Sequence, residues 1–87
     1  MFKQHDDNRQ LLEQCLDKLH AVEDLRARNT LWKFYTNCRR IWIEMDNEFV
    51  VCRRHNRLTL KYTELEVKFR ECVGEFDQWI TMAALIY

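Results

Sequence analysis

The sequence predicts an α+β domain: an N-terminal amphipathic helix, a four-stranded antiparallel meander, and a C-terminal helix packed on the meander's apolar face. Three observations predict it. Apolar residues recur at helical steps toward both ends of the chain. The middle is rich in strand-forming residues, as in Ile41-Trp42-Ile43 and Phe49-Val50-Val51-Cys52. Folding that middle into hairpins sorts its side chains into one apolar and one polar face.

The first helical stretch covers residues 6–36. Leu11, Leu12, Cys15, Leu16, Leu19, Val22 and Leu25 follow three- and four-residue steps, with Glu13, Asp17, Lys18, Asp24 and Arg28 on the opposite face. Asp6, Asp7 or Asn8 is expected to cap its start. Asp24 and Arg28 form an i,i+4 pair. Asn29-Thr30 is the expected break, with Leu31 to Tyr35 as a second short helix.

For residues 40–70 the candidate strands are 40–45, 48–54, 58–62 and 65–70, turning at Asp46-Asn47, His55-Asn56-Arg57 and Thr63-Glu64. Asp, Asn and His tolerate the positive φ that hairpin turns need. In the last hairpin Tyr62 faces Leu65, Leu60 faces Val67 and Leu58 faces Phe69, while Lys61 meets Glu66 on the other face. In the two earlier hairpins Cys52 faces Leu60, Val50 faces Tyr62, Ile43 faces Val50 and Ile41 faces Cys52, all on the apolar face.

The alternative is an all-α helical bundle or coiled coil. Leu31, Tyr35, Cys38, Trp42, Met45, Phe49 and Cys52 follow a four-three heptad pattern, as do Leu58, Tyr62, Leu65, Phe69, Cys72, Phe76, Trp79, Ala83 and Ile86. The two registers differ by one residue and require a bend near His55-Asn56. The scarcity of glycine and the poor Thr63-Glu64 turn favour this form. Against it, Leu60 and Val67 would sit at the most exposed heptad position, and Ile43 and Val50 would lie off the seam. The strand pairing decides for the meander. Residues 71–86 are helix in both forms, with Gly74 permitting close packing on the sheet.

The 87 residues contain no proline, no serine and one glycine, so no linker divides them, and residues 1–87 read as one domain. Fourteen basic and fourteen acidic residues balance, which argues against a general nucleic-acid coat. The distribution is uneven. Residues 37–61 are net +3 and residues 62–87 net −3. The N-terminus lacks the apolar core of a signal peptide, and the apolar end from Trp79 to Tyr87 is shorter than the roughly 20 residues of a membrane helix. A cytoplasmic protein without a membrane partner is the expectation. Cys15, Cys38, Cys52 and Cys72 each fall on an apolar stripe and read as free buried thiols. Cys52 and His55 have half-site spacing, but the remaining cysteines match no zinc pattern, so no metal or cofactor is expected. Without serine or glycine-rich turns, catalysis finds little support.

In the meander Arg40 pairs with Arg53 and Arg39 with Arg54, and Arg57 lies in the adjoining loop. Five guanidinium groups converging at one sheet end point to an anionic ligand or partner, set against the plainer reading of a solvated rim. Trp42, Phe49 and Val51 share the opposite face and form a candidate protein interface, unless the first helix or the Trp32 segment covers it. The helix–strands–helix order resembles the double-stranded RNA-binding domain in topology only. Here Glu71-Cys72-Val73-Gly74-Glu75 is acidic where that family carries a lysine cluster, so its RNA contacts do not carry over. In the helical form, Phe76-Asp77-Gln78-Trp79-Ile80 is faintly similar to the first helix of a spectrin repeat. The expected function is a small non-enzymatic protein-binding or regulatory module acting as a homodimer or on a larger protein. A nucleic-acid-associated regulator using the arginines is the alternative. The compact, unpunctuated style suits a phage-type accessory protein.

Overall fold

A computed structural model describes residues 2–86, and the side chains of residues 2–85. It shows three helices: α1 (Lys3–His20), α2 (Leu25–His55) and α3 (Leu60–Ile86). They pack up-down-up into a rod of 47 × 17 × 16 Å. At about 1.5 Å per residue, the 31 residues of α2 account for the rod's full length.

No strand occurs among the described residues, so the meander is corrected to helix throughout 40–70 apart from one turn. The seven-residue pattern prevails. Leu31, Tyr35, Cys38, Met45 and Cys52 on α2, and Tyr62, Leu65, Phe69, Val73 and Phe76 on α3, are buried together with Leu12, Cys15 and Leu19 of α1. The residues that made strand pairing attractive are those the helices leave outside: Ile43, Val50, Leu60 and Val67 are all exposed. Asp46-Asn47 and Thr63-Glu64 lie inside helices, where no glycine or proline interrupts the hydrogen bonding.

The α2–α3 turn falls where the heptad register shifts. Asn56 is left-handed (φ 56°). Its N–H donates to the Arg53 carbonyl (3.2 Å) and the Arg57 N–H donates to the Cys52 carbonyl (3.1 Å), a Schellman closure of α2. The Thr59 hydroxyl then accepts from the Tyr62 N–H at 3.2 Å and caps α3. The Thr59 N–H lies 3.4 Å from the Cys52 sulfur, which joins the two caps.

The expected single helix over 6–28 is interrupted at residues 21–24, and Asn29-Thr30 is not a break but lies within α2. Asp24 does not act as the i,i+4 partner of Arg28. Its carboxylate caps α2 by accepting from the Ala27 N–H at 2.9 Å. The Arg28 guanidinium instead donates to the Val22 carbonyl (2.6 and 2.9 Å) and reaches the His20 carbonyl, serving acceptors that the end of α1 leaves open. At the other end of α1 no side chain caps the start, and Asn8, an expected cap, is buried.

Asn56 is therefore a position where side-chain identity matters through backbone geometry. Asn56→Val should lower stability by about 1–2 kcal/mol, because a branched residue is strained at this φ. Asn56→Gly should be neutral or slightly stabilising. Urea unfolding of the two variants checks the order.

Candidate interaction surfaces

Near the start of α1 a buried polar cluster joins all three helices. His5 is fully enclosed between the rings of Trp42 (centroids 4.4 Å) and Phe49 (3.9 Å), both nearly parallel to it. Its Nε2 lies 3.0 Å from Asp46 Oδ1 and its Nδ1 2.8 Å from the Tyr62 hydroxyl. Asn8 Nδ2 donates to Glu66 Oε2 at 2.6 Å and stands 3.4 Å from the same hydroxyl, and Gln4 donates to the other Glu66 oxygen. One donor order satisfies the chain. His5 Nε2–H donates to Asp46, the Tyr62 hydroxyl donates to His5 Nδ1, and Asn8 donates to Tyr62 and Glu66. Asn8 Oδ1 is the one buried side-chain oxygen or nitrogen among the described residues without a partner.

Trp42 and Phe49 are thus half-buried packing partners of α1, not an open patch. The expected alternative, coverage by the first helix, is what occurs. Val51 stands apart from them, in a shallow groove with Glu44, Asn47, Glu48 and Lys61.

The five arginines do not converge. Arg39 and Arg53 are fourteen residues apart on one helix, about 21 Å along its axis. Arg39 and Arg40 are exposed mid-helix, and Arg40 donates to Asn37 Oδ1 at 2.9 Å. Arg53, Arg54 and Arg57 do fall together in one stretch at the α2–α3 turn, with His55 among them, whereas Lys61 faces the groove it shares with Glu44 and Glu48. All five arginines are exposed and none forms an ion pair among the described residues. The last turn of α2 is a favourable place for cations, because the helix dipole is negative there.

The opposite end of the rod holds a groove of about 400 Å3 lined by Lys18, Ala21, Val22, Glu23, Asp24, Ile80, Ala83 and Ala84. It forms where α1 stops and α3 continues. Lys18 bonds Asp77 at 2.9 Å across its edge, and that hydrogen bond holds the ammonium above its ordinary pKa. Leu25, Trp79, Met82 and Leu85 are exposed around this end.

Cys15, Cys38 and Cys52 are buried and Cys72 half-buried, all as free thiols. Burial, then the Asp77 carboxylate, raises Cys15 to about 11. Burial, then the Cys15 and Cys72 thiols, raises Cys38 to about 12. These are inert, protonated packing groups at neutral pH. No group of three or more His, Cys, Asp or Glu side chains among the described residues is placed to hold a metal ion. No described helix is long and apolar enough to cross a membrane. Comparison with protein-family models, curated proteins and solved structures finds no match to this chain.

Two outcomes are expected. Tyr62→Phe keeps the ring but strips His5 and Asn8 of a buried partner, and should cost about 1–3 kcal/mol in chemical denaturation. The second concerns pH. The thiols of the unfolded chain ionise near pH 9, whereas those of the folded chain hold their protons to about 11 and 12. The unfolded state therefore binds fewer protons above pH 9, and the contribution of these thiols to stability should be constant below pH 9 and fall through the pH 9–12 window. Denaturation midpoints at stepped pH, with Cys38→Ala flattening part of the decline, test it.

Proposed function

We propose that this chain is a small, non-enzymatic protein-interaction module that works as a homodimer or on a larger protein. The observation that carries the reading is the exposed apolar surface of α3. Leu60, Val67, Trp79, Met82 and Leu85 are all exposed on this one helix, more than the Leu25, Trp32, Ile43 and Val50 that α2 exposes. Apolar side chains gathered on one element at the surface are the usual mark of a contact face. The inert thiols, and a buried histidine already engaged by Asp46 and Tyr62, support a binding role over a catalytic one.

A second reading has its own observation. Arg53, Arg54 and Arg57, unpaired among the described residues, lie with His55 at the α2–α3 turn and suit an anionic partner such as nucleic acid.

One set of measurements separates them. The wild type, a Trp79→Gln/Met82→Gln/Leu85→Gln variant and an Arg53→Glu/Arg57→Glu variant are compared by analytical ultracentrifugation, partner capture with measured stoichiometry, and filter binding to mixed RNA and DNA. Under the first reading the glutamine variant loses self-association or saturable capture, and nucleic acid is ignored. Under the second, the charge-reversed variant loses filter binding, which in the wild type weakens with salt by a log–log slope of about −0.9 per phosphate contacted. A wild type that is monomeric and captures no protein sinks the first reading.

A further inference from the structure

Gly74 is the sole glycine in the chain, and it lies inside α3. Glycine there costs about 1 kcal/mol relative to alanine. Nothing in the bundle asks for it. Gly74 is exposed, its φ is not positive, and a Cβ built on it meets no atom within 4 Å. The close packing expected of this residue is therefore not made within the chain.

Its position on the helix gives it a neighbourhood. Leu60, Val67, Gly74 and Thr81 follow one another at seven-residue steps and share the face of α3 turned away from α1 and α2. Leu60 is 75% and Val67 54% exposed. Apolar knobs thus flank a notch at Gly74, with Leu60 and Val67 before it and Met82 and Leu85 beyond it. Charge is uneven as well. The first half of α3 carries its three cations, Lys61, Lys68 and Arg70, together with exposed Glu64 and with Glu66, which is turned in toward Gln4 and Asn8, and the second half carries only the acids Glu71, Glu75 and Asp77. Lys68, Glu71 and Glu75 form no ion pair among the described residues.

We propose that α3 pairs antiparallel with α3 of a second copy of this chain, about a two-fold axis between Arg70 and Glu71, with Val67 of each copy seated in the notch at Gly74 of the other. The proposal rests on the interaction-module reading and names its partner. Antiparallel order brings all three cations of α3 onto the all-acidic half of the second copy, with Glu64 the one exposed like charge among them. Arg70 meets Glu71 of the second copy, Lys68 faces Glu75, and Leu60 lies beside Met82, each contact made twice by symmetry. Parallel order would set like charges together. The other outer apolar pair, Ile43 and Val50 on α2, lacks both features. It has no glycine between its turns, and antiparallel pairing there would set Arg39 and Arg40 against Arg53 and Arg54 of the other copy.

The test is sedimentation equilibrium of the full chain from about 1 μM to about 1 mM, a range that brackets a weak, small interface. Gly74→Leu fills the notch. It also improves helix propensity in open space, so it should raise Tm, measured where the chain is monomeric, while raising the dimer dissociation constant at least about tenfold. Opposite movement of stability and association is a signature that misfolding does not produce. Lys68→Glu should weaken the dimer and Lys68→Glu/Glu75→Lys should restore it. A wild type that stays monomeric across the range overturns the proposal, and the capture measurement then decides the module reading separately. A dimer insensitive to Gly74→Leu, but lost in Ile43→Gln/Val50→Gln or in the Trp79/Met82/Leu85 variant, also overturns it and leaves the module reading standing.

Discussion

The hydrogen-bonded chain from Asp46 through His5, Tyr62 and Asn8 to Glu66 sets the register of the bundle. Apolar heptad layers tolerate sliding, because a leucine that loses one neighbour finds a similar one a turn away. Buried polar groups do not. A one-turn slip of α1 would leave His5, Asn8 and Tyr62 facing side chains that cannot answer them, at about 1–3 kcal/mol for each unsatisfied group. The stacked rings of Trp42 and Phe49 hold His5 at one height, and that height places everything else. With His5 level with Asp46, Lys18 comes level with Asp77 near the other end, and the turn bearing Arg53, Arg54 and Arg57 stands clear of α1.

Three kinds of layer divide the length of the rod. The polar and aromatic layer lies at the start of α1. Small thiols follow in the middle, where Cys15, Cys38 and Cys72, one from each helix, lie close enough for Cys38 to feel both of the others. Toward the far end Phe34 stacks on Trp79 at 5.2 Å, and the core opens into the groove beside α3. Register comes from the first layer, close helix approach from the second, and exposed apolar surface from the third.

The heptads over 31–52 and 58–83 were readable in the sequence, and so was the bend at His55-Asn56. The choice between helix and meander went the wrong way because of Ile43, Val50, Leu60 and Val67. Apolar residues at seven-residue steps outside a helical seam also fall on one face of a strand pairing, and pairing alone does not separate the two. The break at residues 21–24 was hidden for a related reason. Asp24 at four residues from Arg28 fits an ion pair and a helix cap equally well, and only the carbonyls of His20 and Val22 decide between them. His5 was invisible among the polar residues at the start, since nothing in its neighbours signals burial. The arginine convergence depended wholly on a hairpin. Once 39 and 53 share a helix, only the group around the α2–α3 turn survives.

The unequal helix lengths carry a consequence for motion. α1 has 18 residues against 31 in α2 and 27 in α3, so both ends of the rod are two-helix layers. A side chain there leans on one neighbouring helix instead of two, and opening it exposes less apolar surface than opening the middle. Amide protons in the last turn of α2 and the last turns of α3 should therefore exchange through local fraying, and those near Met45, Phe69 and Cys38 only when the whole bundle comes apart. The turn bearing Arg53, Arg54 and Arg57 and the exposed Trp79, Met82 and Leu85 lie in these less supported ends, whereas Val67 and Gly74 lie over the well-supported middle.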